Sequence, residues 1–257
     1  MKNEKVNILN INVSRGDAGS ILNEAVRLID NNQKFYICTI NAYLAVKANE
    51  DRKLLKIFND AEIVIPDGMP LVWYSKLSEK PIHGRISGYD FFYNFSKIAD
   101  EMNYSYFFFG GTDDMVLAGV KNRLGKDFKN IEVKGLLCPP FMDTFPDEFD
   151  DYVIDMINNC KPDILWVGLS APKQEKWIYK NIGRLDIKMA FGIGAAFNFY
   201  ANMVKRAPVW MQKAGLEWLF RMFAEPKRLF KKYMVNNTKF IYLVIKDYFR
   251  RAYNKKK

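Results

Sequence analysis

A carboxylate follows directly on a short apolar run in Glu62-Ile-Val-Ile-Pro66-Asp67-Gly68. At the end of a strand, Asp67 is a candidate functional carboxylate. Pro-Asp-Gly is equally the ordinary chemistry of a turn, so the catalytic reading needs company. Thr39 and Asn41 close the preceding apolar run as Cys38-Thr39-Ile40-Asn41, and they would stand beside Asp67 if the two strands are neighbours. Arg85, in His83-Gly-Arg-Ile-Ser-Gly-Tyr-Asp90, has a planar fork that suits phosphate oxygens. A surface salt bridge is the plainer alternative for it.

Three glycine-bearing turns follow apolar runs. Gly110-Gly111-Thr112-Asp113-Asp114 resembles a phosphate loop until its charge is counted. Thr112 reads as a helix N-cap, and two acids in a first turn suit the helix dipole and repel a diphosphate. Phe191-Gly192-Ile-Gly194-Ala-Ala-Phe197-Asn198 has no acid to oppose an anion, and its small residues let a ligand approach the backbone. A close-packing turn without a ligand explains it equally well. In Gly168-Leu-Ser170-Ala-Pro172-Lys173-Gln174-Glu175, Ser170 reads as a cap and Pro172 falls in the first turn. Lys173 and Gln174 would then meet an anion at the helix N-terminus.

Other chemistries find little support. His83 is the sole histidine, and no Gly-x-Ser-x-Gly elbow accompanies it. No Asp-x-Asp pair offers a metal clamp for a diphosphate. Cys38, Cys138 and Cys160 form no Cys-x-x-Cys pair, so neither a disulfide framework nor a zinc site is indicated. Carboxylates distant in sequence could still converge on a metal; no cofactor is expected.

The elements that would position these residues alternate along the chain. Val6–Val13, Phe35–Thr39, Glu62–Ile65, Ser105–Phe109, Glu132–Leu136, Asp163–Val167 and Lys188–Ile193 read as strands, several apolar throughout as in strands buried on both faces. Ser20–Asp30, Ala42–Phe58, Asp90–Met102, Thr112–Leu124, Asp147–Cys160 and Lys173–Ile182 show helical spacing. This order predicts an α/β fold, a Rossmann-like, mainly parallel sheet flanked by helices. Ligands in such folds sit at the carboxyl ends of the strands, where Asp67 stands.

Beyond residue 198 the pattern becomes aromatic, basic and helical, with Phe240–Ile245 as one further strand candidate. Residues 1–198 carry 24 Lys and Arg against 26 Asp and Glu, whereas residues 199–257 carry 15 against 3. All of the net charge of +10 thus lies in the tail. The expected organisation is a catalytic core over 1–198 and a basic amphipathic helical appendage over 199–257. So polarised a tail implies an anionic partner, a lipid surface or nucleic acid. No apolar run approaches the roughly 20 residues needed to cross a bilayer. The N-terminus lacks the features of a secretory signal, so a cytoplasmic location is expected.

Thr39-Ile-Asn41, Pro66-Asp67-Gly68, Arg85-Ile-Ser-Gly88-Tyr-Asp90, Gly168 to Glu175, Gly192 to Phe197 and Lys205-Arg-Ala-Pro208…Gly215-Leu-Glu-Trp218…Arg221…Glu225-Pro226 closely resemble, in order, the WecG/TagA/CpsF family of bacterial glycosyltransferases. The resemblance implies an inverting transfer of N-acetylmannosamine or a related sugar from a UDP-sugar donor to a polyprenyl-diphosphate-linked sugar. Such enzymes build teichoic acid linkage units and other surface polysaccharides. It implies that Asp67 is the general base, that Thr39, Asn41, Arg85 and Gln174 line its pocket, and that Arg221 and Arg228 close over the donor. It further implies metal-independent catalysis and peripheral attachment to an anionic membrane surface through the appendage. Lys173, Gly192, Gly194 and Asn198 complete the expected donor contacts, although relatives usually carry Asp at the place of Asn198 and more often glycine at that of Ser170. Nucleic acid is not an expected partner, and a homo-oligomer is compatible with the sequence. The rival readings are a nucleic-acid-binding protein using the tail and a nicotinamide-dependent enzyme using Gly192–Phe197.

Overall fold

A computed structural model describes residues 4–254, apart from the side chains of Lys213, Arg228, Lys232 and residues 251–254. Six strands, β3 (Phe35–Ile40), β4 (Ile63–Pro66), β5 (Ser105–Gly110), β6 (Glu132–Leu137), β7 (Ile164–Gly168) and β8 (Met189–Gly192), form one parallel sheet in the order β4-β3-β8-β7-β5-β6. Every residue of β3, β4, β5 and β8 is buried. The cause is visible in the alternation: Tyr36, Cys38 and Ile40 enter one apolar cluster, while Phe35 and Ile37 enter the other. A strand covered on both faces has no polar face to show.

The helices form a layer on each face. One apolar cluster includes α2 (Ala42–Glu50), α3 (Arg52–Asp60), α7 (Asp147–Cys160) and α8 (Lys173–Asn181). The other includes α1 (Ala18–Asp30), α5 (Gly88–Glu101), α6 (Asp114–Asp127) and α9 (Ala196–Tyr200). β3 is therefore followed by a helix on one face, and its neighbour β8 by a helix on the other. Chains that diverge in this way leave a crevice at the carboxyl edge of the sheet.

Four local expectations differ from the structure. Val6–Val13 is an antiparallel hairpin, β1 (Lys5–Ile8) and β2 (Ile11–Ser14), because Leu9 and Asn10 both take positive φ and turn the chain back. It lies beside β4, where Ser14 Oγ accepts from Val64 N at 3.1 Å. Ala42–Phe58 breaks at Asp51, whose extended backbone ends α2 and whose carboxylate caps α3 through Lys53 N and Leu54 N. Asp113, one residue beyond Thr112, caps α6 through Val116 N at 2.9 Å. Phe240–Ile245 is helical.

The tail folds as α10 (Val209–Lys213), α11 (Glu217–Ala224) and α12 (Pro226–Asn254). α12 lies along α2: Phe240 is buried in the core cluster, and Lys239 pairs with Glu50 at 2.6 Å. Asp247 is buried, receives the hydroxyl of Tyr74 and pairs with Arg250 at 2.5 Å. Tyr74 belongs to α4 (Met69–Ser75), the helix that starts just after Asp67. Among the described residues, no helix is long and apolar enough to cross a membrane.

Candidate active site

β3 and β4 pair with Thr39 opposite Ile65 and Ile40 opposite Pro66, which brings Asn41 and Asp67 to one rim. Asp67 N donates to Ile40 O at 2.8 Å, locking the chain as it leaves the sheet. A Cβ on Gly68 would lie 3.5 Å from Asn41 Cβ, so the Pro-Asp-Gly turn and the start of α2 are in contact. Asn41 is the N-cap of α2, its Oδ1 accepting from Leu44 N at 3.0 Å. One amide oxygen of the candidate pocket is thereby committed to holding a helix. Thr39 is buried beneath Gly88, its methyl 3.7 Å from where a Cβ on that glycine would stand.

Arg85 reaches the same rim because Ile86 N donates to Pro66 O at 3.0 Å, pinning the following segment to the end of β4. From there Arg85 Nε donates to Asp67 Oδ1 at 3.3 Å and Nη2 to Glu217 Oε2 at 2.5 Å. Its Nη1 approaches Gln212 O at 3.5 Å. The Arg85 side chain is 14% exposed and that of Glu217 15%, whereas Asp67 keeps 30% of its side-chain surface open. Protein surrounds the rest of the Asp67 carboxyl, and the lost hydration pushes its pKa above the usual aspartate value. Arg85 opposes the shift, Glu217 adds to it, and Arg221 opposes it weakly. For Arg85, burial works against the charge, but the two carboxylates outweigh it and raise its proton affinity.

The tail closes over this group. Gly215, in the left-handed region at φ +74, turns the chain from α10 into α11. A Cβ there would fall 2.5 Å from Met69 Cγ, so the turn rests directly on the first residue of α4. Arg206 fastens the approach: its Nη1 donates to Asp90 Oδ1 at 2.9 Å and its Nη2 to Gln212 Oε1 at 3.0 Å, while the guanidinium lies 4.2 Å from the Tyr89 ring centroid. Arg221 follows Glu217 by one turn of α11, and its guanidinium stands 5.5 Å from the Phe199 ring centroid. Arg228 lies in α12, and its side chain is outside the described residues.

Across the crevice, Gln174 is 2% exposed, and its Nε2 donates to Gly192 O and to Glu175 Oε1, both at 2.9 Å. Among the described residues its Oε1 has no hydrogen-bond partner, and it faces Gly194, where an added Cβ would lie 3.4 Å away. A Cβ on Gly192 would come within 2.9 Å of Gln174 Cγ, Cδ and Nε2. Close packing of Gln174 thus accounts for Gly192 without a dinucleotide. Lys173 does not meet the crevice as expected: its ammonium is taken by Met142 O and lies 3.6 Å from the Phe145 ring centroid. Burial there lowers its pKa. Ser170 gives α8 no side-chain cap; its backbone oxygen accepts from Lys173 N at 2.8 Å. Asn198 is half-buried in α9, and its carbonyl receives Met203 N and Val204 N.

The rim thus gathers Thr39, Asn41, Asp67 and Arg85, with Gln174, Gly192 and Gly194 at its other side. Glu217, Arg206 and Gln212 join it without having been singled out. Glu217 lies 132 residues from Arg85, and Arg206 116 from Asp90, so nothing in the spacing of the chain pairs them. Among the described residues, no three His, Cys, Asp or Glu side chains gather as a metal ion would need.

The model of the glycosyl transferase WecG/TagA/CpsF family matches residues 6–254. A protein of Bacillus subtilis (strain 168) is 29% identical over 219 residues, covering 85% of this chain and 82% of its own length. A protein of Bacillus spizizenii is 31% identical over 218 residues, 85% and 81% of the two chains. One from Staphylococcus aureus (strain NCTC 8325) is 28% identical over 194 residues, 76% and 74%. All three are named N-acetylglucosaminyldiphosphoundecaprenol N-acetyl-beta-D-mannosaminyltransferase. The match spans the sheet, the rim and the tail that covers it, and on that extent the chain belongs to the glycosyl transferase WecG/TagA/CpsF family.

Proposed function

We propose that this glycosyltransferase moves N-acetylmannosamine or a related hexose from a UDP-sugar to the sugar of a polyprenyl-diphosphate-linked acceptor, with inversion at the anomeric carbon. The names of its relatives support the acceptor class and the sugar. Asp67 takes the proton of the acceptor hydroxyl as that oxygen bonds to the anomeric carbon. The bond from that carbon to the diphosphate breaks, and UDP leaves with the electron pair. A carboxylate whose proton affinity is raised by its surroundings is a stronger base than one in water. Positive charge near the departing diphosphate offsets what it gains, a task for Arg221 and Arg228 of the tail. Arg85, already shared between two carboxylates, positions the base.

The observation that carries this reading is Asp67 itself: a partly open carboxylate at the carboxyl edge of a parallel sheet, paired with a largely covered arginine and roofed by the tail. The tail also serves to bring the enzyme to its lipid-linked acceptor. Phe223 of α11 and Phe230, Met234, Ile241, Ile245 and Phe249 of α12 are exposed, and Lys227, Lys231, Lys246 and Arg250 accompany them. Aromatic and aliphatic side chains beside lysines suit the interface of an anionic leaflet, to which each basic residue contributes about 1 kcal/mol. We assign residues 1–198 to the catalytic core and 199–257 to this appendage, and the enzyme to the inner face of the cell membrane.

The deciding experiment is a screen of UDP-sugars with a short-chain lipid-diphosphate sugar as acceptor, reading released UDP. Acceptor-dependent UDP release from one donor is the expected result. Failure of every donor in the screen to release UDP, together with stabilisation of the fold by NAD, would defeat the proposal.

A further inference from the structure

Glu217 is the first residue of α11, yet it caps nothing: its carboxylate turns to Arg85, 132 positions away in sequence. Arg85 in turn faces Asp67. The two carboxylates thus contact different nitrogens of the same guanidinium. With Nη2 fixed by Glu217 and Nη1 beside Gln212 O, Nε is left aimed at Asp67. An unrestrained arginine would have many rotamers to choose from, so this ordering must come from its partners. Two of these partners, Gln212 and Glu217, belong to the tail, and the turn between them rests on Met69 of α4, two residues beyond Asp67.

We propose that Glu217 is a positioning residue for catalysis: by holding Arg85, it makes the orientation of the Asp67 carboxylate depend on the tail being seated. This rests on Asp67 being the base, as argued above. The charged groups facing Asp67 are Arg85, from the segment before α5, and Glu217 and Arg221 from α11; Asn41, at the cap of α2, and Met69, at the start of α4, are neutral. Glu217 therefore acts on the base in two ways, by steering Arg85 and by its own negative charge, which favours the protonated form of Asp67.

The test compares wild type, Glu217→Gln, Glu217→Asp and Asp67→Asn by UDP release with the short-chain acceptor, over a range of pH and with thermal melts of each protein. Glu217→Gln should lower kcat by roughly 10- to 100-fold, the scale of a misaligned reacting group, with the KM for donor within about threefold. Its acid limb of kcat should move to lower pH, because a charge favouring protonated Asp67 is gone. Glu217→Asp keeps the charge one methylene further back and should regain part of the turnover with its acid limb in place. The inference fails if Glu217→Gln turns over within about twofold of wild type or faster. It also fails if turnover falls with the acid limb unmoved, or if Glu217→Asp moves the limb as Glu217→Gln does. If Glu217→Gln does not stay folded at assay temperature, Glu217→Asp carries the test. Full turnover by Asp67→Asn would instead remove the base assignment itself, an outcome the Glu217 variants cannot mimic.

Discussion

Arg85 stands between Asp67 and Glu217, 3.3 Å from one carboxylate and 2.5 Å from the other. The nearer partner is the one on the tail. Asp67 thus keeps the longer, weaker contact and part of its surface free, as a group that must accept a proton would need to.

Asp67→Asn keeps the shape of the side chain and removes its basicity. We expect turnover to fall by about 10²- to 10⁴-fold, with UDP affinity within a few-fold of wild type. Steady-state kinetics alongside calorimetric UDP titration checks both halves.

The same variant should change stability with pH in a defined sense. Burial raises the pKa of Asp67 in the folded protein, so folding favours its protonated form. Below the unfolded pKa, Asp67 is protonated in both states and the penalty is absent. The penalty grows as pH rises through the unfolded and then the folded value, and is complete above the latter. Asp67→Asn should therefore melt higher than wild type at neutral pH, and the difference should shrink as pH falls through the carboxylate range. A constant difference from neutral to acid would show that the ionised carboxylate costs the fold nothing.

Arg85→Met leaves two poorly hydrated carboxylates facing each other. Unfolding in denaturant should show a loss of about 2–4 kcal/mol at neutral pH, less in acid, with turnover largely lost. Arg85→Lys retains the charge but lacks the fork that reaches Asp67 and Glu217 together, so it should restore more stability than activity.

Gly192→Ala places a methyl group against the Gln174 side chain, at 2.9 Å from three of its atoms. A cost of about 1–3 kcal/mol is expected. Shortening the neighbour in Gly192→Ala/Gln174→Ala should recover most of it, giving a clear coupling in a double-mutant cycle measured by chemical denaturation.

The exposed apolar row of the tail can be tested without deleting it. Phe230→Ser, Ile241→Ser and Ile245→Ser together should reduce co-sedimentation with anionic vesicles by roughly tenfold or more and leave the melting temperature nearly unchanged, since all three side chains are exposed. Raised salt should weaken the remaining binding.

Much of the sheet was legible because its strands are buried on both faces: Phe35–Ile40 and Ser105–Gly110 are apolar runs that a half-exposed strand would not show. The hairpin was not, since its turn uses Leu9 and Asn10 and no glycine interrupts the alternation. The break at Asp51 was hidden for a similar reason, as apolar spacing continues across it. Phe240–Ile245 misled by composition: within α12, Asn236, Phe240 and Asp247 are buried at helical intervals while Ile241, Tyr242 and Ile245 face out. At the rim, Asp67, Thr39 and Asn41 could be foreseen from the ends of two neighbouring runs. Lys173 was foreseen at a helix start, but the loop before α7 supplies Met142 O and the Phe145 ring to take its charge. Glu217 stands in the tail motif, but its pairing with Arg85 showed only once the fold had brought the two together.

The seat of Gly215 on Met69 is too tight for one added carbon, and that fixes how the roof can move. Surfaces interlocked so closely resist sliding past each other but can part along their common normal. Any widening of the crevice thus calls for a lift of the tail away from α4, which would bare more of an Asp67 carboxylate that is 30% open as it stands.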